Sequence, residues 1–174
     1  MNDRIFREAQ KARKLAGSND PFELLEALHA VVRPSALYAA DGLRGFCAIM
    51  NRTRYVVINQ KQPEEEQRVT AAHEGGHLIL HSDILRAAPL RDFDIYNATG
   101  RLERQANFFA AEYMIDDEAV LDLMHSHDAD FFDVSQTLCI PAPFFAFKLY
   151  SMIDRGYPMR MPVDLDSTFL KGRR

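Results

Sequence analysis

Apolar residues recur at helical spacing near the beginning of the sequence: Ile5, Phe6, Ala9, Ala12 and Leu15 stand among charges over 3–16, and Gly17 follows as a stop. This spacing predicts a first helix. Asp20-Pro21-Phe22-Glu23 then combines an N-cap, a proline at the first helical position and a capping-box glutamate, ahead of the apolar face Leu24, Leu25, Leu28, Val31 and Val32. A second helix is expected to end before Pro34. Beyond Leu37 the period changes. Gly42 and Gly45 punctuate the chain, and two β-rich runs, 46–50 and 54–59, flank Asn51-Arg52-Thr53, which predicts an antiparallel hairpin. Pro63 with Glu64, Glu65 and Glu66 opens a third helix, because proline suits a first turn and carboxylates suit the positive end of the helix dipole. The apolar flanks Val69, Ala71, Ala72, Leu78, Ile79 and Leu80 mark this helix as buried, and it is expected to run to about Ser82.

The stretch 83–100, with Pro89, Asp92, Asp94, Asn97 and Gly100, reads as a connection containing one short strand and long enough to be functional. Residues 101–115 and 117–125 read as helices. Ser135 is expected to cap a further helical region that breaks around Pro141 and Pro143 and resumes to Asp154, before Gly156. The pattern as a whole predicts an α+β fold, mainly helical, with a small antiparallel sheet packed against the third helix.

Composition narrows the picture. A hydrophobic fraction of 47% and a charged fraction of 26% over 174 residues suit one globular domain with a sizeable core. The formal net charge of -4 gives no global attraction to phosphate backbones or anionic lipid, so direct nucleic-acid binding is not expected. Basic residues gather at the ends, as Arg4, Arg7, Lys11, Arg13 and Lys14 and again as Lys171, Arg173 and Arg174, and read as solvated termini. Cys47 and Cys139 lie in apolar surroundings without a paired spacing, which predicts buried free thiols and a reducing, cytoplasmic setting. No signal-type apolar stretch opens the sequence and no run reaches membrane-spanning length, so no membrane association is expected.

The third helix carries His73-Glu74-Gly75-Gly76-His77, an H-E-x-x-H motif. Positions four apart share a helix face one turn apart, where two imidazoles can grip one cation. A glutamate beside the first histidine projects toward the open side of such a metal, where it can take a proton from bound water and pass it to a leaving amine. Glu74 fills that role, with His73 and His77 as ligands. Catalytic zinc takes three protein ligands and a water, so another ligand is required elsewhere. The best candidate is Glu103, in the helix Glu103-Arg104-Gln105-Ala106-Asn107-Phe108-Phe109-Ala110-Ala111-Glu112. Asn107 lies one turn from it, beside the small Ala106 and Ala110 that permit close helix packing, and could accept a hydrogen bond from a ligand imidazole.

HEGGHLILH followed by ERQANFFAAEYMI resembles the ImmA/IrrE family of metallo-endopeptidases, in which an HExGH helix precedes an E-x-x-A-N-x-F-A-x-E helix. The resemblance takes in the strand Tyr55-Val56-Val57-Ile58-Asn59, covers 42–115, and has a weaker echo at Asp133-Val134-Ser135. It implies a zincin-like domain with a gluzincin-like centre: His73, His77 and Glu103 as zinc ligands, Glu74 as general base, and Asn107 behind a ligand. It also implies an intracellular endopeptidase that cleaves, or otherwise inactivates, a helix-turn-helix repressor of a mobile element, a phage included, or of a stress response. The expected organisation is one metallopeptidase domain over 1–174, with N-terminal helices at 1–34, a catalytic core at 42–115 and a C-terminal helical region at 116–174. Two departures from the family pattern stand out. Gly75 replaces a larger apolar residue, and Asp116 stands where a proline commonly follows the second helix.

Other readings remain beside this one. A metal-dependent regulator that sequesters or remodels a protein partner without cutting it is the alternative function, and His2Glu sites accept divalent ions other than zinc. A deformylase-like hydrolase would need a cysteine ligand in its own motif, and Cys47 has no such context. His81 extends the row of histidines, but three successive turns do not converge easily on one tetrahedral ion, so a core or cleft hydrogen bond is expected of it. His125 and His127, near Asp128 and Asp130, read as a solvated loop rather than a second metal site. The pairs Phe108-Phe109, Phe131-Phe132 and Phe144-Phe145 are expected in the core. Tyr96 and Tyr113 are candidates for stabilising an oxyanion. Over 135–154 a faint helix-turn-helix pattern contains only Lys148 as a basic residue, which favours helix packing over DNA contact.

Overall fold

The hairpin organises the sheet. In the computed structural model, which describes residues 2–87, 89–92, 100–126 and 130–161, β2 (Gly45–Met50) and β3 (Thr53–Asn59) pair antiparallel, from Gly45 opposite Ile58 to Met50 opposite Thr53. Asn51 and Arg52 turn the corner with φ of 49° and 65°, the left-handed pair that a two-residue hairpin with the natural strand twist requires. β1 (Ala30–Ser35) runs parallel to β3, and β4 (Leu90–Asp92) runs antiparallel to β2, giving the order β1-β3-β2-β4. The sheet is therefore mixed, not wholly antiparallel.

β1 corrects the expected second helix. α2 (Pro21–Ala27) is capped as the sequence predicts, Asp20 Oδ1 accepting from the Phe22 and Glu23 amides at 2.8 and 3.3 Å, but it stops at Ala27. His29 adopts a left-handed φ of 53°, which ends the helix, and the β-branched Val31 and Val32 then pair opposite Tyr55 and Val56. Pro34 has no amide hydrogen to give a neighbour, and β1 lies at the sheet edge where none is needed.

α1 (Asn2–Ala16) buries Ile5, Ala9 and Ala12 and packs on α5 (Arg101–Met114), which in turn packs on α3 (Glu64–Leu80). Two apolar clusters result. One, between the sheet and α3, holds Leu25, Cys47, Val56, Ile58, Ala71 and Leu78; the short α4 (Ser82–Leu85) adds Leu85. The other gathers around α5 and α8 (Ala142–Asp154), with Phe108, Phe109, Phe144, Phe145 and Phe147 fully buried. Phe131 joins this core, whereas Phe132 stays 59% exposed, because adjacent helical positions face different ways. The charged α6 (Asp117–Ser126) follows α5, and α7 (Phe131–Thr137) begins in a capping box formed by Asp130 and Asp133. Ser135 thus lies inside α7 instead of capping it, its hydroxyl donating to Phe132 O at 2.9 Å.

Lys148 is turned inward: its ammonium lies 2.7 Å from Glu112 Oε2 and also meets Asp117, while the Arg155 guanidinium clasps Asp117 through Nη1 and Nη2 at 2.6 and 2.8 Å. This ionic group ties α5, α6 and α8 together. Both cysteines are free thiols, but only Cys47 is buried. Cys139 is exposed in the turn after α7, where its φ of 51° breaks the helix and carries the side chain outward. Among the described residues no helix is long and apolar enough to cross a membrane. The basic residues 171–174 and the positions of Asp94, Asn97, His127 and Asp128 lie outside the described residues.

Candidate metal centre

α3 lies between the sheet and α5, and this sandwiching buries His73, Glu74 and His77 completely. The two imidazoles are one helical turn apart with ring centroids at 4.7 Å, and their Nε2 atoms approach to 3.0 Å. From α5, Glu103 Oε2 reaches 3.2 Å from His73 Nε2 and 3.3 Å from His77 Nε2. These three atoms form a nearly equilateral triangle on two facing helices. Glu103 keeps 28% of its side chain exposed, so the triangle opens to solvent on its side.

The close approach of the helices depends on Gly76. A β-carbon there would stand 3.3 Å from both Cα and O of Ala106 and 3.0 Å from Phe109 Cδ1, so glycine on α3 and the small Ala106 on α5 let the two backbones nearly touch. Gly75 faces the opposite neighbour, where a β-carbon would lie 2.9 Å from Leu24 Cδ2 of α2. The helix-propensity cost of about 1 kcal/mol at each glycine is what this tight packing on both sides exacts.

Proton positions follow from the partners. Asn107 Oδ1 lies 2.7 Å from His73 Nδ1, and an amide oxygen can only accept, so His73 Nδ1 donates and its Nε2 holds a lone pair. The His73 lone pair, His77 Nε2 and a Glu103 carboxylate oxygen thus converge at 3.0–3.3 Å, a His2Glu donor set of the kind a divalent cation takes. A tetrahedral ion with bonds of about 2.0–2.1 Å separates its donors by about 3.3 Å, so the residues fit a metal ion. His73, His77 and Glu103 are the described residues whose ligand atoms cluster this way.

Glu74 projects toward the sheet, where Gly45 begins β2. A β-carbon at Gly45 would stand 3.1 Å from Glu74 Oε1, 2.6 Å from Thr70 Cγ2 and 3.0 Å from Val57 O. The glycine that punctuates the sequence is therefore the notch that receives this carboxylate. His81, at the C-terminus of α3, is 5% exposed and does not belong to the donor triangle. Its Nδ1 lies 2.9 Å from His77 Nδ1 and its Nε2 lies 3.0 Å from Gln105 Oε1. Burial, reinforced by the neighbouring His77 and His73, lowers its pKa below the ordinary imidazole value, although Gln105 and Glu103 act in the other direction.

Of the oxyanion candidates, Tyr113 is not at this site. Its hydroxyl donates to Asp20 O at 2.9 Å, and its pKa is pushed up to about 12, first by burial and then by Asp20 and Glu23. Tyr96 lies outside the described residues. Gly45 and Gln105 carry no local motif that points to the site. Their signal is spatial, since each comes from an element other than α3.

The donor set could hold a metal ion, and the family match makes the chain metallopeptidase-like. Residues 26–150 match the IrrE N-terminal-like domain, a peptidase family, and the chain belongs to that family. The matched span begins within α2 and ends within α8, and so contains the whole sheet and both helices of the metal centre. No curated protein matches the chain.

Proposed function

We propose that the chain is a zinc-dependent endopeptidase whose substrate is a regulatory protein, a helix-turn-helix transcriptional repressor. The observation that carries the reading is the buried convergence of His73 Nε2, His77 Nε2 and Glu103 Oε2 one residue from the carboxylate of Glu74. Zinc, when bound, supplies Lewis acidity toward a carbonyl oxygen and lowers the pKa of water. The chain supplies the rest. Asn107 holds His73 in the tautomer that leaves Nε2 open for ligation. Glu74 is the proton carrier: its carboxylate accepts a proton from the hydrolytic water and delivers it to the leaving amine. The Gly45 notch limits where that carboxylate can go, and burial of α3 keeps bulk water from solvating it. The two free thiols fit work in a reducing cytoplasm.

Glu74→Gln tests the mechanism, because it keeps the shape and removes the base. The variant is expected to bind zinc as wild type does while losing cleavage of a candidate helix-turn-helix repressor, read by mass spectrometry of fragments. Full cleavage by Glu74→Gln would refute the assigned base. Glu103→Ala is expected to lower the zinc found by elemental analysis, and unchanged stoichiometry would remove Glu103 from the site. If wild type binds the repressor tightly and never yields fragments, the chain is a sequestering regulator instead.

A further inference from the structure

The histidine row His73, His77, His81 continues past the donor triangle into a chain of hydrogen bonds. Gln105 Oε1 can only accept, so the proton across the 3.0 Å contact belongs to His81 Nε2. A neutral imidazole carrying its proton on Nε2 has its lone pair on Nδ1, and that atom faces His77 Nδ1 at 2.9 Å. His77 Nδ1 is then the donor. Its Nε2 is left with a lone pair directed at His73 Nε2 and Glu103 Oε2.

We propose that His81 and Gln105 are positioning residues of the metal centre, fixing His77 in the Nδ1–H tautomer through His81 as Asn107 fixes His73 directly. The inference rests on the reading of His73, His77 and Glu103 as ligands. It gives α5 a triple task within five consecutive residues: Glu103 is a ligand, and Gln105 and Asn107 are the two acceptors that orient the imidazoles of α3. It also explains a polar side chain, His81, held buried at the end of an otherwise apolar turn. A buried imidazole with one nitrogen donating and the other accepting is fully satisfied without a metal, so His81 needs no ligand role.

Imidazole tautomers read by nitrogen NMR in the metal-free chain test the proposal first. His77 is expected in the Nδ1–H form and His81 in the Nε2–H form, and the opposite assignment would overturn the chain of donors. Zinc affinity, measured by competition with a chelating indicator, is the second readout. Gln105→Leu and His81→Leu are expected to bind zinc roughly 10–100-fold more weakly. Gln105→Glu and His81→Gln, which keep an acceptor, should restore binding close to the wild-type value, a rescue that a merely structural role would not show. Wild-type affinity in both leucine variants would overturn the proposal. Gln105 is partly exposed, so Gln105→Leu decides the matter if His81→Leu fails to fold. A wild-type chain that binds no zinc would refute the metal reading itself, whereas zinc binding indifferent to Gln105 and His81 refutes only their positioning role.

Discussion

Gly76→Ala is the most demanding test of the packing that assembles the centre. The added methyl meets Phe109 Cδ1 at 3.0 Å and, more seriously, the Cα and O of Ala106 at 3.3 Å. Ala106 and Phe109 are fully buried, so α5 must retreat by a few tenths of an ångström as a unit. Overpacking of this kind costs about 1–3 kcal/mol, and the gain in helix propensity from glycine to alanine returns about 1 kcal/mol. The expected net loss is up to about 2 kcal/mol. In a chain of this size, each such kcal/mol lowers the melting temperature by about 2–4 °C. The consequence for the site is larger, because Ala106 is less than one turn from Glu103, and a retreating α5 opens the 3.2 and 3.3 Å edges of the donor triangle. Zinc affinity is expected to fall about tenfold, equivalent to about 1.4 kcal/mol. Gly75→Ala is the internal control. Its methyl meets the Leu24 side chain instead of backbone, so it should lose less stability and leave zinc affinity near wild type. Thermal melts of metal-free protein together with chelator competition measure both quantities. A Gly76→Ala chain as stable as wild type and with the same zinc affinity would refute the idea that this glycine sets the helix spacing.

Three further outcomes follow from the same geometry. Gly45→Ala puts a methyl 2.6 Å from Thr70 Cγ2 and 3.1 Å from Glu74 Oε1; a loss of about 1–3 kcal/mol in urea unfolding and a drop in kcat are expected, and neutrality in both would contradict the notch. Burial works to raise the Asp117 carboxyl, but the hydrogen bond from Arg155 and the charges of Lys148 and Arg155 outweigh it and hold the group well below the usual carboxylate range. Its stabilisation is therefore complete above the unfolded pKa of about 3.9 and is lost as the pH falls from there toward the lower folded value. Asp117→Asn should cost about 3 kcal/mol at pH ~7 and flatten the acid limb of stability, measured as urea midpoints against pH. In native protein a disulfide reagent should label Cys139 quickly and Cys47 only on unfolding; equal labelling rates would contradict their burial.

The grouping of His73, His77 and Glu103 is legible in the sequence because most of its geometry is local. Four-residue spacing within one helix names His73 and His77, and the need for a third donor leads to a glutamate on a helix with small residues. What the sequence does not announce is nonlocal. Leu24, Leu25, Leu28, Val31 and Val32 fit a helical period, yet His29 takes a left-handed φ of 53° and β3 offers Val31 and Val32 a parallel edge that no local pattern announces. Ser135 looks like a cap in the sequence, but the Asp130 and Asp133 pair two to five residues earlier forms the capping box. Cys139 has apolar sequence neighbours, and the turn that exposes it is set by how α7 meets α8. Gly45 reads as punctuation in the sequence, and its larger role appears only when the first residue of β2 is laid against α3.

α5 would tie the fate of the core to that of any ion held at the candidate centre. The same helix presents Glu103, Gln105 and Asn107 to α3 and inserts Phe108 and Phe109 among the aromatic side chains of the largest cluster. Any ion that prefers the docked helix is linked to folding by mass action: a free concentration a hundred times the dissociation constant adds about 2.7 kcal/mol of stability. Metal supply would then govern how long the chain survives as well as whether it works, since a depleted molecule opens more often to the proteases around it.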